Sequence, residues 1–298
     1  MVFSARLGAH VTIRSAGIPL ATRLKERLYF RHATRMRLKR LLPRPLYDVL
    51  RVAATPWDTL AALRFIADGR LALPPAERRR LVRRLYRISS HVDCPHDESQ
   101  ILECLTAVLT LPETVAGCIV EAGCYKGGSA AKFSLAARAV RRELVLFDSF
   151  SGLPEDAGDA GGHSIFGRKV AFAAGDWRGS LAEVQENVVR FGDPASCRYV
   201  PGWFEETLPQ FREPVAVAFI DVDLASSTRT CLKYLYPLLS PGGWLFSHDG
   251  HLQPVVEVFA DSEFWEREVG CPRPEIQGLG TDAFLRIRKE AGPVDGAG

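Results

Sequence analysis

Three acids and two histidines gather in the last third of the chain. The segments FIDVDLASST (219–228) and SPGGWLFSHDGH (240–251) place Asp221, Asp223, His248, Asp249 and His251 just beyond two apolar runs. If those runs are parallel strands of one sheet, the five side chains converge at its carboxyl edge. Carboxylates and imidazoles brought together there suit a divalent cation, because buried charge demands a partner or a metal. The plainer alternative makes Asp223 a helix cap and His251 a surface residue. A second group lies upstream in GCIVEAGCYKGGSAAKF (117–133): an apolar strand, Glu121 at its end, then Gly123, Gly127 and Gly128 before a helix opened by Ser129. Bare backbone of this kind lets a ligand lie close, although E-x-G-x-x-x-G-G departs from the dinucleotide pattern G-x-G-x-x-G. Asp148 closes the run LVLFD, which puts it at the tip of the neighbouring strand, where a carboxylate accepts hydrogen bonds from ribose hydroxyls.

These groups require a frame of alternating strands and helices. Short β-rich runs predict strands at 117–121, 144–148, 198–200, 215–221 and 243–248, with a last antiparallel strand at 283–287. Helical patterns fall at 129–140, 181–191, 227–239 and 254–269. Before residue 97 the pattern is helical and basic: 24–42 up to Pro43 and Pro45, then 57–67, then 75–88 with its ERRRLVRRLYR face. The expected organisation is a basic N-terminal arm and helical cap over 1–96, a ligand-binding α/β domain over 97–290 and a frayed tail over 291–298. The insert 149–177, rich in Gly, Asp and Pro, reads as a mobile loop at the site's mouth or a plain solvent-exposed connection, with His163 in reach of substrate.

Composition narrows the field. The chain has 298 residues, 47% hydrophobic and 24% charged, so it can bury a full core, and disorder or fibrous repeats are excluded. Its longest apolar runs are too short to span a bilayer. Seven cysteines form no CxxC pair, which fits a reducing, cytoplasmic setting better than a disulfide framework. Residues 1–93 hold 20 Lys and Arg against six Asp and Glu, leaving 18 against 29 in the remainder. No nucleic-acid reading motif accompanies that basic leader, so no nucleic-acid partner is expected.

Taken in order, EAGCYKGGSA, LFDSFSGLP, PGWFEETLP, IDVDLASST and LYPLLSPGGWLFSHDG resemble the macrocin-type (TylF-like) O-methyltransferases over about residues 97–265. That resemblance implies a doubly wound, mostly parallel, seven-stranded Rossmann-like methyltransferase sheet with the N-terminal helices appended. It implies S-adenosylmethionine as cofactor, with Glu121, Gly123, Gly127, Gly128 and Ser129 around its methionine part. Asp148 and Ser149 would lie at the ribose, and Trp203, Phe204 and Glu205 near the adenine. It also implies a divalent metal, Mg²⁺ or Mn²⁺, on Asp221, His248 and Asp249. His248 replaces one carboxylate of the family's usual pair, and Ala225-Ser226 replaces its Tyr-Glu. Imidazole favours Mn²⁺, Fe²⁺ or Zn²⁺ over hard Mg²⁺.

The implied reaction methylates a hydroxyl of a small glycosylated or polyhydroxylated acceptor, a sugar or glycolipid moiety of secondary metabolism, by a homo-oligomer. Asp221 would direct the nucleophile, and His251, or His248 if it does not ligate metal, would take the proton. Two alternatives remain: a noncatalytic methyltransferase-fold protein that binds cofactor without turnover, and a nicotinamide-dependent oxidoreductase, against which the glycine spacing argues.

Overall fold

The computed structural model describes Pro43 and residues 55–290; the basic arm, the helix expected over 24–42 and the tail over 291–298 lie outside the described residues. Among the described residues three helices precede the first strand: α1 (Pro56–Ala67), α2 (Pro75–His91) and α3 (Glu98–Thr110). The first two open on proline, whose fixed φ suits a first turn. Leu81, Val82, Leu85 and Ile88 form the buried stripe of α2, and Arg79, Arg80, Arg83 and Arg87 face solvent. The sequence reading has no helix at α3. Its start is fixed by a capping box, in which the Asp97 side chain accepts from the Gln100 backbone and Gln100 Oε1 accepts from Asp97 N–H at 3.0 Å.

Strands and helices then alternate as β1 (Cys118–Ala122), α4 (Gly128–Ala139), β2 (Leu144–Asp148), the hairpin β3 (Gly162–His163) and β4 (Lys169–Val170), α5 (Leu181–Phe191), β5 (Cys197–Pro201), α6 (Phe204–Thr207), β6 (Val215–Ile220), α7 (Ala225–Leu238), β7 (Leu239–Ser247), α8 (Gln253–Ala260), α9 (Ser262–Phe264) and β8 (Leu285–Arg288). The main sheet runs in the order β5-β2-β1-β6-β7-β8, parallel throughout except for β8. Six strands, not the expected seven, make up this sheet among the described residues. The stretch before β8 meets it only at an isolated bridge, where Gln277 and Arg286 exchange backbone hydrogen bonds of 2.9 and 3.1 Å. The turn after Gln277 lets no ladder grow from that bridge, and among the described residues no seventh strand joins the sheet.

Side chains alternate across the sheet and define two cores. Ile119, Leu144, Leu146, Val217 and Phe219 face a layer built from α1 to α5. Val120, Ala122, Val145, Ala218 and Ile220 face α7 and α8, with Trp265 fully buried. The N-terminal helices belong to the first core, which runs continuously from Ala62 and Phe65 to Phe246 and Phe284. The alternation also settles which way the strand-end acids point. Glu121 follows Ile119, and Asp221 follows Phe219, so both turn toward the layer that carries α3 and α4. The seven cysteines are all free thiols.

Candidate active site

Strand order reverses between β1 and β6, and open parallel sheets bind ligands in the crevice at such a point. A cavity of about 570 Å³ opens there, lined by the carboxyl ends of β1, β2, β6 and β7 and by the 149–177 insert. Gly123 forms part of its floor at φ +90°, and a Cβ at that position would lie 1.9 Å from the Asp221 carbonyl oxygen. Only glycine lets the two central strand ends approach this closely.

On the β1–β2 side the cavity is lined by Gly123, Tyr125, Asp148, Ser149, Trp203 and Phe204. Asp148 Oδ2 accepts from Cys124 N–H at 2.6 Å and Oδ1 from Phe150 N–H at 2.7 Å, which orients the carboxylate while leaving a lone pair on each oxygen. Burial raises its pKa, and those amides oppose the shift. The other expected cofactor contacts sit beneath the turn, not on the cavity wall. A Cβ on Gly127 would strike Val184 of α5 at 2.9 Å, and one on Gly128 would strike Cys94 Cβ at 2.9 Å, so helix packing accounts for both glycines. Ser129 is buried in α4. Glu121 is fully buried, and neither carboxylate oxygen has a partner in hydrogen-bond geometry. Burial pushes its pKa up to about 8, against an opposing effect from the Ser129 hydroxyl.

On the β6–β7 side lie Asp221, Asp223, His248, Asp249 and His251. Asp249 Oδ2 accepts from the Val222 and Asp223 amides at 2.8 and 3.0 Å and so braces the turn after β6. Its Oδ1 is buried with no hydrogen-bond partner. Burial and the Asp221 charge raise both Asp223 and Asp249 well above the ordinary carboxylate range. Burial and the neighbouring His251 hold His248 well below the usual imidazole value, and burial lowers His251 as well.

His96 was missed by the sequence reading and stands in the middle of this group. Its Nε2 lies 2.8 Å from Asp221 Oδ2, and His248 Nδ1 lies 3.2 Å from Asp221 Oδ1. Burial opposes its charge, yet the Cys94 sulfur and the Asp221 carboxylate raise its pKa to about 10. A lone histidine ahead of a helix gives no periodic signal. The available clue was the adjacent Asp97 and Gln100, which cap α3 and fix the residue before it.

The insert forms part of the wall, with Leu153, Phe172, Asp176 and Trp177 facing the cavity. Its hairpin is tied down where Ile165 N–H donates to the His251 carbonyl at 2.9 Å and Ser164 bridges Leu252. His163 is exposed on that hairpin and does not line this cavity. Three non-glycine residues of the wall, Tyr125, Trp177 and Asp223, hold positive φ of 47°, 57° and 58°. Strained backbone of this kind gathers at ligand sites.

Residues 98–280 match the macrocin O-methyltransferase (TylF) family. The chain belongs to that family. This O-methyltransferase is therefore a class I enzyme with S-adenosylmethionine as methyl donor. It is 32% identical over 192 residues to an 8-demethyl-8-(2,3-dimethoxy-alpha-L-rhamnosyl)-tetracenomycin-C 4'-O-methyltransferase of Streptomyces olivaceus, covering 61% of this chain and 70% of that one. It is 35% identical over 182 residues to a mycinamicin III 3''-O-methyltransferase of Micromonospora griseorubida, covering 53% and 71%. The solved structure of the O-methyltransferase NovP superposes with a TM-score of 0.54 at 24% identity, covering 67% of this O-methyltransferase and 84% of that chain, a likeness of fold. No helix among the described residues of the enzyme is long and apolar enough to cross a membrane.

Proposed function

We propose that this enzyme moves the methyl group of S-adenosylmethionine to a hydroxyl of a small glycosylated or polyhydroxylated acceptor, with help from a divalent cation. One observation carries the reading: Gly123, Asp148, Asp221, His248, Asp249 and His251 all face a single cavity at the sheet's reversal point. The named relatives act on glycosylated natural products, which supports a sugar hydroxyl as acceptor.

The residues divide the work between the cavity's two sides. Gly123 offers bare backbone to the methionine portion, Asp148 and Ser149 take the ribose, and Trp203 and Phe204 flank the base. Glu121, Gly127, Gly128 and Ser129 shape the turn underneath. Asp221 and His248 fit a cation, because a carboxylate beside an imidazole in a buried wall is a ligand set in want of a charge, and Asp249, whose Oδ1 has no hydrogen-bond partner, lines the same cavity. A cation bound there would lower the pKa of the acceptor hydroxyl and fix its direction. Aligning that oxygen with the S–CH₃ bond supplies much of the rate, since the sulfonium is already electrophilic. His251, half-buried and neutral, takes the hydroxyl proton. The 149–177 insert closes over the acceptor and excludes water.

The test is transfer of isotope-labelled methyl from S-adenosylmethionine to a panel of rhamnosides and other glycosides with Mn²⁺ or Mg²⁺ present, read by mass spectrometry as a new methyl ether. Cofactor binding with no transfer to any hydroxylated acceptor would return the protein to the noncatalytic reading.

A further inference from the structure

We infer that His96, carried by the linker between α2 and α3, is a metal ligand, completing with Asp221 and His248 a site of two imidazoles and one carboxylate that selects a borderline transition-metal cation (Mn²⁺, Fe²⁺ or Zn²⁺) over Mg²⁺. This rests on the metal-assisted reading above and deepens it. One ligand atom from each of the three residues lies within 4.8 Å of the others, and among the described residues they form the one group so arranged. Donors at about 2.1 Å from a shared tetrahedral ion stand ~3.4 Å apart, so closing on an ion asks for side-chain movements of up to about 1 Å. Asp249 is not one of the three, and its Oδ2 is held by the Val222 and Asp223 amides.

The surroundings of His96 hold it in a ligand's pose. Its ring packs edge-on against Phe219 of β6, with centroids 5.2 Å apart, and against His248 at 4.5 Å. Asp97 begins α3 through its capping box, so the backbone at position 96 is held by a helix start. On the far side of the ring, Nδ1 meets Cys94 Sγ at 3.2 Å, which leaves Nε2 as the nitrogen turned toward Asp221. Cys94 is steadied in turn by Lys132 Nζ at 3.8 Å, and Lys132 forms a fully buried ion pair with Glu98 of α3 at 3.0 Å. Ligating histidines are oriented by this kind of contact to the second ring nitrogen. Two imidazole nitrogens and one carboxylate form a softer donor set than the all-oxygen shell Mg²⁺ prefers.

The experiment uses the full chain after removal of bound metals. Calorimetric titration with Mn²⁺, Zn²⁺ and Mg²⁺ is expected to give one tight site for Mn²⁺ or Zn²⁺, with Mg²⁺ at least about 100-fold weaker. Electron spin-echo spectra of the Mn²⁺-loaded protein are expected to report two coordinated histidine nitrogens. His96→Ala should leave one nitrogen and weaken Mn²⁺ binding about 100-fold or more, while S-adenosylmethionine still titrates normally. His96→Gln serves as the second variant, and the nitrogen count in the unaltered protein decides the matter even if both variants misfold. One nitrogen in the unaltered protein, unchanged Mn²⁺ affinity in a folded His96→Ala, or a larger loss in Asp249→Asn would overturn the assignment of His96 and leave the metal reading standing. A protein that binds none of the three ions would overturn both.

Discussion

The two halves of the cavity are built by different means. On the β1–β2 side, shape comes from backbone: Gly123 at positive φ, a turn pressed against Asp221, and an Asp148 carboxylate aimed by two amides. On the β6–β7 side, the wall is made of side chains assembled out of three separate segments, at 96, 221 and 248–251. The first half tolerates little change of residue size, and the second little change of residue chemistry. A fold that supports many acceptors can therefore hold its cofactor cradle constant and vary the opposite wall.

The contrast breaks most visibly at the point where the halves touch. Gly123→Ala would force a Cβ to 1.9 Å from the Asp221 carbonyl oxygen on top of a strained φ, and strain alone costs about 1–3 kcal/mol. It is expected to abolish the cooperative thermal transition expected of the unaltered protein. An unchanged melting temperature would show that the two strand ends do not meet as described.

Glu121 tests the buried floor of the first half. Its folded pKa of about 8 stands above the ordinary value of 4.5, so the unfolded chain loses its proton first as pH rises. Stability therefore falls between about pH 4.5 and 8, by on the order of 5 kcal/mol from this group. Glu121→Gln should flatten that slope in denaturant titrations at pH 5 and pH 8, and a slope left intact would mean the carboxyl finds a partner in solution.

Asp221→Asn bears on the second half alone. It is expected to lower metal-dependent kcat by about 10³-fold, roughly 4 kcal/mol of lost transition-state stabilisation, with cofactor affinity retained. Asp148→Ala is its mirror image on the first half. It should weaken S-adenosylmethionine binding by about 1–3 kcal/mol, with metal binding unchanged by calorimetry. If either variant lost both ligands together, the division into halves would be wrong.

How much could be read in advance follows the same division. Apolar runs bounded by glycine or an acid located every parallel strand of the sheet within a few residues, because burial on both faces leaves a local mark. Gly123, Asp148, Asp221 and His248 were recognisable because each lies at a strand tip. The glycines at 127 and 128 were read as ligand contacts, but the pressure on them comes from α5 and Cys94, distant in sequence. His96 was invisible for the same reason: it lies 125 positions before the aspartate it meets. The residues themselves marked six strands; the seventh was implied only by the resemblance, and among the described residues Gln277 pairs with Arg286 as no more than an isolated bridge.

The hairpin's backbone bond from Ile165 to the His251 carbonyl joins the rim of the cavity to the stretch that carries the imidazole. Were the rim to lift for a bulky glycoside, that bond would pull on the stretch, and lowering the rim would restore the ring's position. On the proposed mechanism, entry of the acceptor and placement of the group that would receive its proton are then mechanically a single event, and a cavity standing open would hold no fully armed base to squander on water.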